Sequence, residues 1–349
     1  MRTRPTIKDI AAQVGVSHTT VSYVMSGNTT QKISEETRQA VLEAARKLHY
    51  VPNGAARSLR KNSINCISVA MEKAVTHNRF GGLLQGIRDE LSAEGYWLML
   101  FDFSSSDNLY PDYLDSVLQR RTDGIIYVSS DGTPPELEWR KIIESNDLPF
   151  VACDCCPEEK SLASISFDYE RGAFEVACRL FGEGAHRILY WRPNHQTSQE
   201  SYREEGLRRA CALYPGAELS ISMLPNEIVE NTPFQDRYSA FSRICKQYLA
   251  QDVIPRIASF ESGDAIVCSW GVMVRHLCAT LGDNPRQLKI AILSDAEVPV
   301  ATEARVLTSR PNFQKGGKEC AKLLLQQIRE KQQENRIVIA PDVPTYIEL

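Results

Sequence analysis

Apolar positions over residues 6–27 recur with the spacing of a helix. Ile7, Ile10, Ala11 and Val14 fall at i, i+3, i+4 and i+7, a single apolar stripe. Thr6 precedes the stripe and Asp9 follows three residues later, the arrangement of a capping box. Gly15 ends this helix and Ser17 caps a second, whose Val16, Val21 and Val24 face inward. His18, Thr19, Ser22 and Tyr23 are then left pointing outward. With the small Ala11 at the crossing, the pair suits a helix-turn-helix whose second helix enters the major groove. A plain αα-hairpin is the alternative. A third helix follows, with Ser34 as its cap, Glu35 and Glu36 in its first turn, and Val41, Ala44, Ala45 and Leu48 along one face. The headpiece closes at Pro52. Residues 53–60, NGAARSLR, are too few to hold a helix alone in water. Once helical, Asn53 would cap them, and Ala55, Ala56 and Leu59 would form a small apolar face.

From residue 64 the pattern changes to short apolar runs alternating with amphipathic stretches of helix length. Strands are predicted at 66–71, 96–102, 124–129 and 148–154, with helices at 80–94, 113–121 and 136–146 between them. The rhythm restarts with strands at 165–168, 188–191, 219–224, 265–269 and 290–293. Helices at 171–182, 202–213 and 234–251, and one between the last two strands, separate these. Alternation of this kind makes a parallel sheet covered by helices on both faces, here twice over.

Charge sharpens the division. Residues 1–61 carry 10 Lys/Arg against 4 Asp/Glu, a net +6; the rest carries 30 against 40, a net −10. A basic headpiece on an acidic body confines phosphate binding to the N-terminal part. The chain has no apolar run of transmembrane length, and its basic start lacks the apolar core of a signal peptide, so a cytoplasmic protein is expected. Ten cysteines are scattered, and only Cys153, Cys155 and Cys156 cluster, around Asp154. CDCC lacks paired C-x-x-C spacing and a second ligand group, so buried free thiols are expected rather than a metal site. No P-loop, G-x-G-x-x-G or G-x-S-x-G motif is present, so neither an enzyme nor a bound cofactor is expected.

The run TIKDIAAQVGVS-x-x-TVS, then VPNGAARSLR, then INCISVAM resembles the lactose/galactose repressor (LacI/GalR) family in order, spacing and residue type over the first seventy residues. A weaker similarity continues to about residue 322. The resemblance implies a helix-turn-helix headpiece over 1–52 and a hinge helix over 53–61 that folds on operator DNA. It implies a periplasmic-binding-protein-like body over 62–349. Its N-subdomain is expected at about 62–164 plus 309–330, and its C-subdomain at about 165–308 plus 331–349. The crossings between subdomains are expected near Ser164, near Thr308, and after the helix 315–329. DNA contacts are implied at Thr6, Ser17, His18, Thr19, Thr20, Ser22, Tyr23, Asn53, Ala56 and Leu59. Leu59 would wedge into the minor groove at the centre of the site. The family usually has a guanine-reading arginine where this chain has Tyr23, so the half-site should differ.

In two α/β halves the C-terminal strand ends face one cleft, where polar residues meet a ligand. Phe80, Asp154, Arg203, Ser269, Trp270 and Asp295 are the candidates, with Arg203 opening a helix after the loop NHQTSQES. Helix capping is the alternative for the two aspartates, a surface salt bridge for Arg203, and a core position for Trp270. The body departs from the family at Ser269-Trp270, where Asn-Asp is usual, and at Ser294-Asp295-Ala296, where Tyr-Asp-Asp is usual. Family sugars are therefore not carried over. The expected protein is a homodimeric repressor of a pseudo-palindromic operator, controlled by a small polar effector and with no membrane partner. The alternative is a regulator whose body is a protein-interaction module with a degenerate pocket. The ending TYIEL has no heptad tail that would build a tetramer.

Overall fold

The computed structural model describes residues 5–26, 31–50, 63–71, 78–103, 109–129, 132–155, 162–194, 197–225, 237–282, 284, 287–294, 305–330 and 336–348. The chain divides into two units, 1–64 and 65–349. The expected hinge helix, 53–61, lies outside the described residues.

The first unit holds α1 (Ile7–Val14), α2 (His18–Met25) and α3 (Glu35–Lys47). Asp9 accepts from both the Thr6 N–H and the Thr6 hydroxyl, at 2.7 and 2.8 Å. Gly15 ends α1 at φ 78°, a left-handed value that costs a residue without Cβ nothing. Ser17 and Ser34 cap α2 and α3 by accepting from Thr20 N–H at 3.0 Å and Thr37 N–H at 3.2 Å. Each such cap contributes about 1 kcal/mol. Ile10, Ala11, Val21, Val24, Val41, Ala44 and Ala45 form the buried core, and Val16 packs against it half-buried.

In the second unit, β1 (Cys66–Met71), α4 (Asn78–Ala93), β2 (Trp97–Asp102), α5 (Asp112–Leu118), β3 (Ile125–Val128), α6 (Leu137–Ser145), β4 (Phe150–Cys153) and β5 (Ala163–Phe167) alternate as predicted. They continue through α7 (Tyr169–Gly182), β6 (Arg187–Pro193), α8 (Ser198–Leu213), β7 (Glu218–Leu224), α9 (Arg237–Tyr248), α10 (Ile254–Ile257), β8 (Ala265–Cys268), α11 (Gly271–Leu281) and β9 (Lys289–Ile292). The chain closes with β10 (Arg305–Thr308), α12 (Phe313–Glu330), β11 (Arg336–Ile339) and β12 (Thr345–Glu348).

Two six-stranded sheets result, ordered β11-β5-β4-β3-β1-β2 and β12-β10-β9-β8-β6-β7. All pairings are parallel except β10 with β12. The central strands β3, β4 and β8 are buried on both faces, which explains their unbroken apolar sequences. In the first sheet Val69, Ile126, Val151 and Ile165 pack with residues of α4 and α12, while Ile125, Tyr127 and Phe150 pack with those of α5 and α6. In the second, Tyr190, Val267 and Leu307 join α7 and α8, while Trp191, Ile266 and Ile290 join α9 and α11.

The subdomain boundaries differ from expectation at two points. β5 pairs with β4 in the first sheet, so the first crossing falls at Asp168 instead of Ser164. β11 pairs with β5, Arg336 opposite Ser164, and so belongs to the first half and not the second. Ile339 is buried there in the same core as α12. The third crossing therefore follows β11. β10 and β12, which no clear periodicity announced, complete the second sheet. The crossing segments are tied together, the Asp342 N–H donating to Arg310 O at 2.9 Å and Ser309 Oγ to Asp342 O at 3.2 Å.

Candidate DNA-reading and effector sites

On α2, His18 and Thr19 are exposed, while Thr20, Ser22 and Tyr23 are half-buried beside the core. The buried Val21 and Val24 pin the opposite face, so the direction of the polar face follows from the apolar one. Ser17 and Thr20 share a hydroxyl contact of 2.9 Å besides the cap. Thr6 and Ser17 sit as caps at the starts of α1 and α2, the positive ends of the helix dipoles, which suit a phosphate. Asn53, Ala56 and Leu59 lie outside the described residues.

In the body, the ends of β4, β8 and β9 together with β6, α7 and α8 bring the candidate residues together. Asp154 follows β4 at φ 59°, a left-handed value that aspartate tolerates better than most residues. It is 5% exposed and accepts from Tyr169 Oη at 2.9 Å on each oxygen. Gln199 Nε2 donates to it at 2.9 Å, so a carboxylate from the first half is held by two groups of the second.

Arg203 does not open a helix. Thr197 caps α8 by accepting from the Glu200 N–H at 3.2 Å, so the helix begins at Ser198 and Arg203 lies in its second turn. The spacing T-x-x-E was the available signal. One turn before Arg203 stands Glu200, absent from the sequence-based set and 3% exposed. Arg203 Nη1 donates to Glu200 Oε1 at 2.8 Å and to Ser269 Oγ at 3.1 Å; Nη2 donates to Leu293 O at 3.1 Å. Its guanidinium lies 5.0 Å from the centre of the Tyr169 ring. Ser269 Oγ and Trp270 Nε1 also donate to Glu200 Oε1, at 2.5 and 3.2 Å, and Tyr190 Oη donates to Oε2 at 2.7 Å.

The electrostatics follow from burial and these contacts. Burial works against the Arg203 charge, but Glu200 and the phenols of Tyr190 and Tyr169 outweigh it and raise its pKa. Burial and the Glu200 charge push the Tyr190 phenol well above its ordinary range, keeping it a donor. Arg203 Nε has no hydrogen-bond partner.

Ser269 is fully buried at the end of β8, and Trp270 packs its ring 5.1 Å from Phe241, joining the core as well as the cluster. Phe80 is 2% exposed in the apolar cluster of Phe167, Tyr169 and Phe313, as a core residue would be. Asp295 lies outside the described residues. Cys153 and Cys155 are buried, and the Cys320 thiol beside Cys153 together with burial raises the Cys153 pKa well above normal. Cys156 lies outside the described residues. Among the described residues no group of three His, Cys, Asp or Glu is placed to hold a metal ion. None of the described helices is long and apolar enough to cross a membrane.

Two family descriptions match the chain. "Bacterial regulatory proteins, lacI family" covers residues 6–53, and "Periplasmic binding proteins and sugar binding domain of LacI family" covers residues 68–227. The HTH-type transcriptional repressor PurR of Vibrio cholerae serotype O1 is 27% identical over 337 residues, 95% of this chain and 94% of that protein. The PurR of Histophilus somni is 25% identical, with 95% of each chain covered. A solved lac repressor dimer, bound to operator and the anti-inducer ONPF, superposes with a TM-score of 0.71 at 16% identity, covering 99% of this chain and 98% of that one. A complex of the regulator CelR with cellobiose gives 0.58 at 20% identity, with the same coverage.

Proposed function

This chain belongs to the lacI family of bacterial regulatory proteins, and from that premise we propose that it is a cytoplasmic repressor whose operator affinity is set by a small polar metabolite in the cleft of its body. Its DNA-binding headpiece is the lacI-type helix-turn-helix, and its body is the sugar-binding type of domain. The relatives are named as repressors, which supports a binding role in place of catalysis. One observation carries the effector reading. Asp154, Gln199, Glu200, Arg203 and Ser269 are buried together at strand and helix ends of both halves, where apolar residues would pack at lower cost. Closure of the halves around a ligand would shift a two-state equilibrium that operator DNA also biases.

The proposed active form is a homodimer. Edge strand β2 exposes Trp97, Met99 and Leu100, and edge strand β7 exposes Met223. Apolar surface at equivalent edges of both sheets suits a second copy joined by a two-fold axis, which a pseudo-palindromic operator would mirror.

Arg203→Ala alone would strand the buried Glu200 carboxylate, at a cost of about 3–5 kcal/mol. The cleaner test is Arg203→Met with Glu200→Gln. Operator affinity is measured with and without members of a sugar and nucleoside panel. Wild type should respond to at least one, and the double variant should bind operator normally without responding. A normal response by the double variant refutes the pocket assignment. A second reading, a body that binds a protein instead, draws on the same cluster, because the chain's own groups already satisfy most of the Arg203 donors. No shift in melting temperature across the panel would favour it, since a ligand at 100 times its Kd adds about 2.7 kcal/mol.

A further inference from the structure

The three crossings between the halves are tied to one another. Besides the bonds that join Asp342 to Ser309 and Arg310, Asn312 Nδ2 donates to Asp342 Oδ1 at 3.1 Å, and the Asp168 N–H donates to Ile339 O at 3.0 Å. The first turn of α7 bears on the other two crossings, for a Cβ at Gly172 would stand 3.2 Å from Ser309 Oγ and 3.5 Å from Pro341 Cβ. A cavity of about 10 Å³, lined among others by Tyr169, Gly172, Ser309, Pro311 and Pro341, lies at the same point. Tyr169, the first residue of α7, thus stands where the crossings meet. Its side chain belongs to neither half alone. The ring joins the apolar cluster of the first half, 6.2 Å from the Phe167 ring. The phenol donates to Asp154 beyond β4, at 2.9 Å from each oxygen. The Arg203 guanidinium of the second half lies 5.0 Å from the ring centre, held there by Glu200, Ser269 and Leu293 O. Gln199, one turn before Arg203 on α8, donates to the same Asp154 carboxylate.

We propose that Tyr169 is the positioning residue that couples the effector cleft to the crossings, acting through Asp154 and Arg203. A turn of one half against the other swings the start of α7 relative to the end of β4. A hydrogen bond is lost once donor and acceptor part beyond about 3.5 Å, so the phenol holds Asp154 only in the present relation of the halves. A ligand that displaces Asp154 or Arg203 pulls on the phenol or the ring, and the pull reaches a helix start seated on the crossings. The reverse also holds. Whatever fixes the relation of the halves fixes Tyr169 and, through it, both cleft side chains, because such coupling is reciprocal. A phenylalanine would fill the same apolar site, so the hydroxyl is the part of Tyr169 that reads the carboxylate.

This inference rests on the effector reading, and its test separates the two. Amide hydrogen exchange is recorded on the full-length wild type and Tyr169→Phe. Operator affinity is measured for both with and without glucose, galactose, cellobiose, adenosine and guanosine. In Tyr169→Phe the amides of Asp168 and Asp342 at the crossings, and of Glu200 and Ser201 in the first turn of α8, should exchange about tenfold faster or more, the worth of a hydrogen bond to a charged group. The central strands β3 and β8 should exchange as in wild type. A compound that shifts wild-type operator affinity, by about 5–150-fold in a typical coupled system, should still bind Tyr169→Phe in calorimetry but shift its operator affinity far less. Exchange faster by one factor everywhere, β3 and β8 included, would make the hydroxyl a general stabiliser and overturn the inference. Unchanged exchange at all four amides overturns it too. If Tyr169→Phe fails to fold, Asp154→Asn takes its place: removing the carboxylate charge should speed the same four amides, and unchanged exchange there overturns the inference. A Tyr169→Phe that responds as wild type does overturns it and leaves the effector reading standing. No response by wild type to any of the five compounds overturns the effector reading and the coupling role with it.

Discussion

At the scale of single residues, the side chains expected to carry function are constrained by neighbours that do not. Tyr23 is half-buried on α2 because Val21 and Val24 fix that helix against α1 and α3. A phenol at a base edge cannot form the two parallel hydrogen bonds with which an arginine reads guanine. Tyr23→Arg should therefore move the preferred base at one half-site position to guanine, by about 1–3 kcal/mol, as selection from a randomised operator library would show. An unchanged preference would mean that Tyr23 faces the backbone or solvent. In the cleft, the same logic explains why Glu200 matters as much as Arg203. A buried guanidinium is tolerable only with its charge paired and most of its donors met; Glu200 pairs the charge, and Ser269 and Leu293 O take two further donors, leaving Nε over.

At the scale of elements, the position of Arg203 depends on how closely α8 approaches α7. A Cβ at Gly206, one turn beyond Arg203, would stand 2.1 Å from Glu170 O and 2.9 Å from Phe174 N, both backbone atoms of α7. Only glycine permits that distance. Gly206→Ala should separate the helices, cost about 1–3 kcal/mol of stability, and draw the guanidinium away from the Tyr169 ring. Urea unfolding would read the first effect, and weaker effector binding by the folded variant the second. A substitution neutral in both would show that the backbone accommodates the methyl and that helix spacing does not set the site.

For the whole molecule, the proposed division of labour gives a joint expectation. A headpiece of net +6 on a body of −10 should carry nearly all operator affinity, each phosphate it neutralises adding about −0.9 to the log–log salt slope. Two headpieces act together only in a dimer. Trp97→Glu, which puts a charge on the most exposed aromatic of edge strand β2, should sediment as a monomer at concentrations where wild type is dimeric. Its operator binding should weaken, with a salt slope about half that of wild type. A dimeric Trp97→Glu would rule out the β2 edge as the interface, and a fragment from residue 62 onward that bound operator tightly would overturn the headpiece assignment.

Much of this organisation was legible in the chain. Helical spacing, capping residues and the left-handed Gly15 specify the headpiece locally, because each signal acts within a few residues of the structure it produces. The alternation of strand and helix through 66–293 was equally plain, since strands buried on both faces leave unbroken apolar runs. Asp154, Ser269 and Trp270 could be named from their places beyond strand ends and Arg203 from the resemblance, and the structure brings them into one buried cluster. Tertiary structure decided what depends on distant partners. β11 joined the first sheet because its pairing with β5, some 170 residues earlier in sequence, has no signature in local periodicity. Phe80 became core by the same kind of long-range packing. Glu200, a polar residue in a helical first turn, reads in sequence as a surface position. Its burial against Arg203, Ser269, Trp270 and Tyr190 exists only once β6, β8 and α8 have converged, because the energy of a buried charge is set by everything that surrounds it.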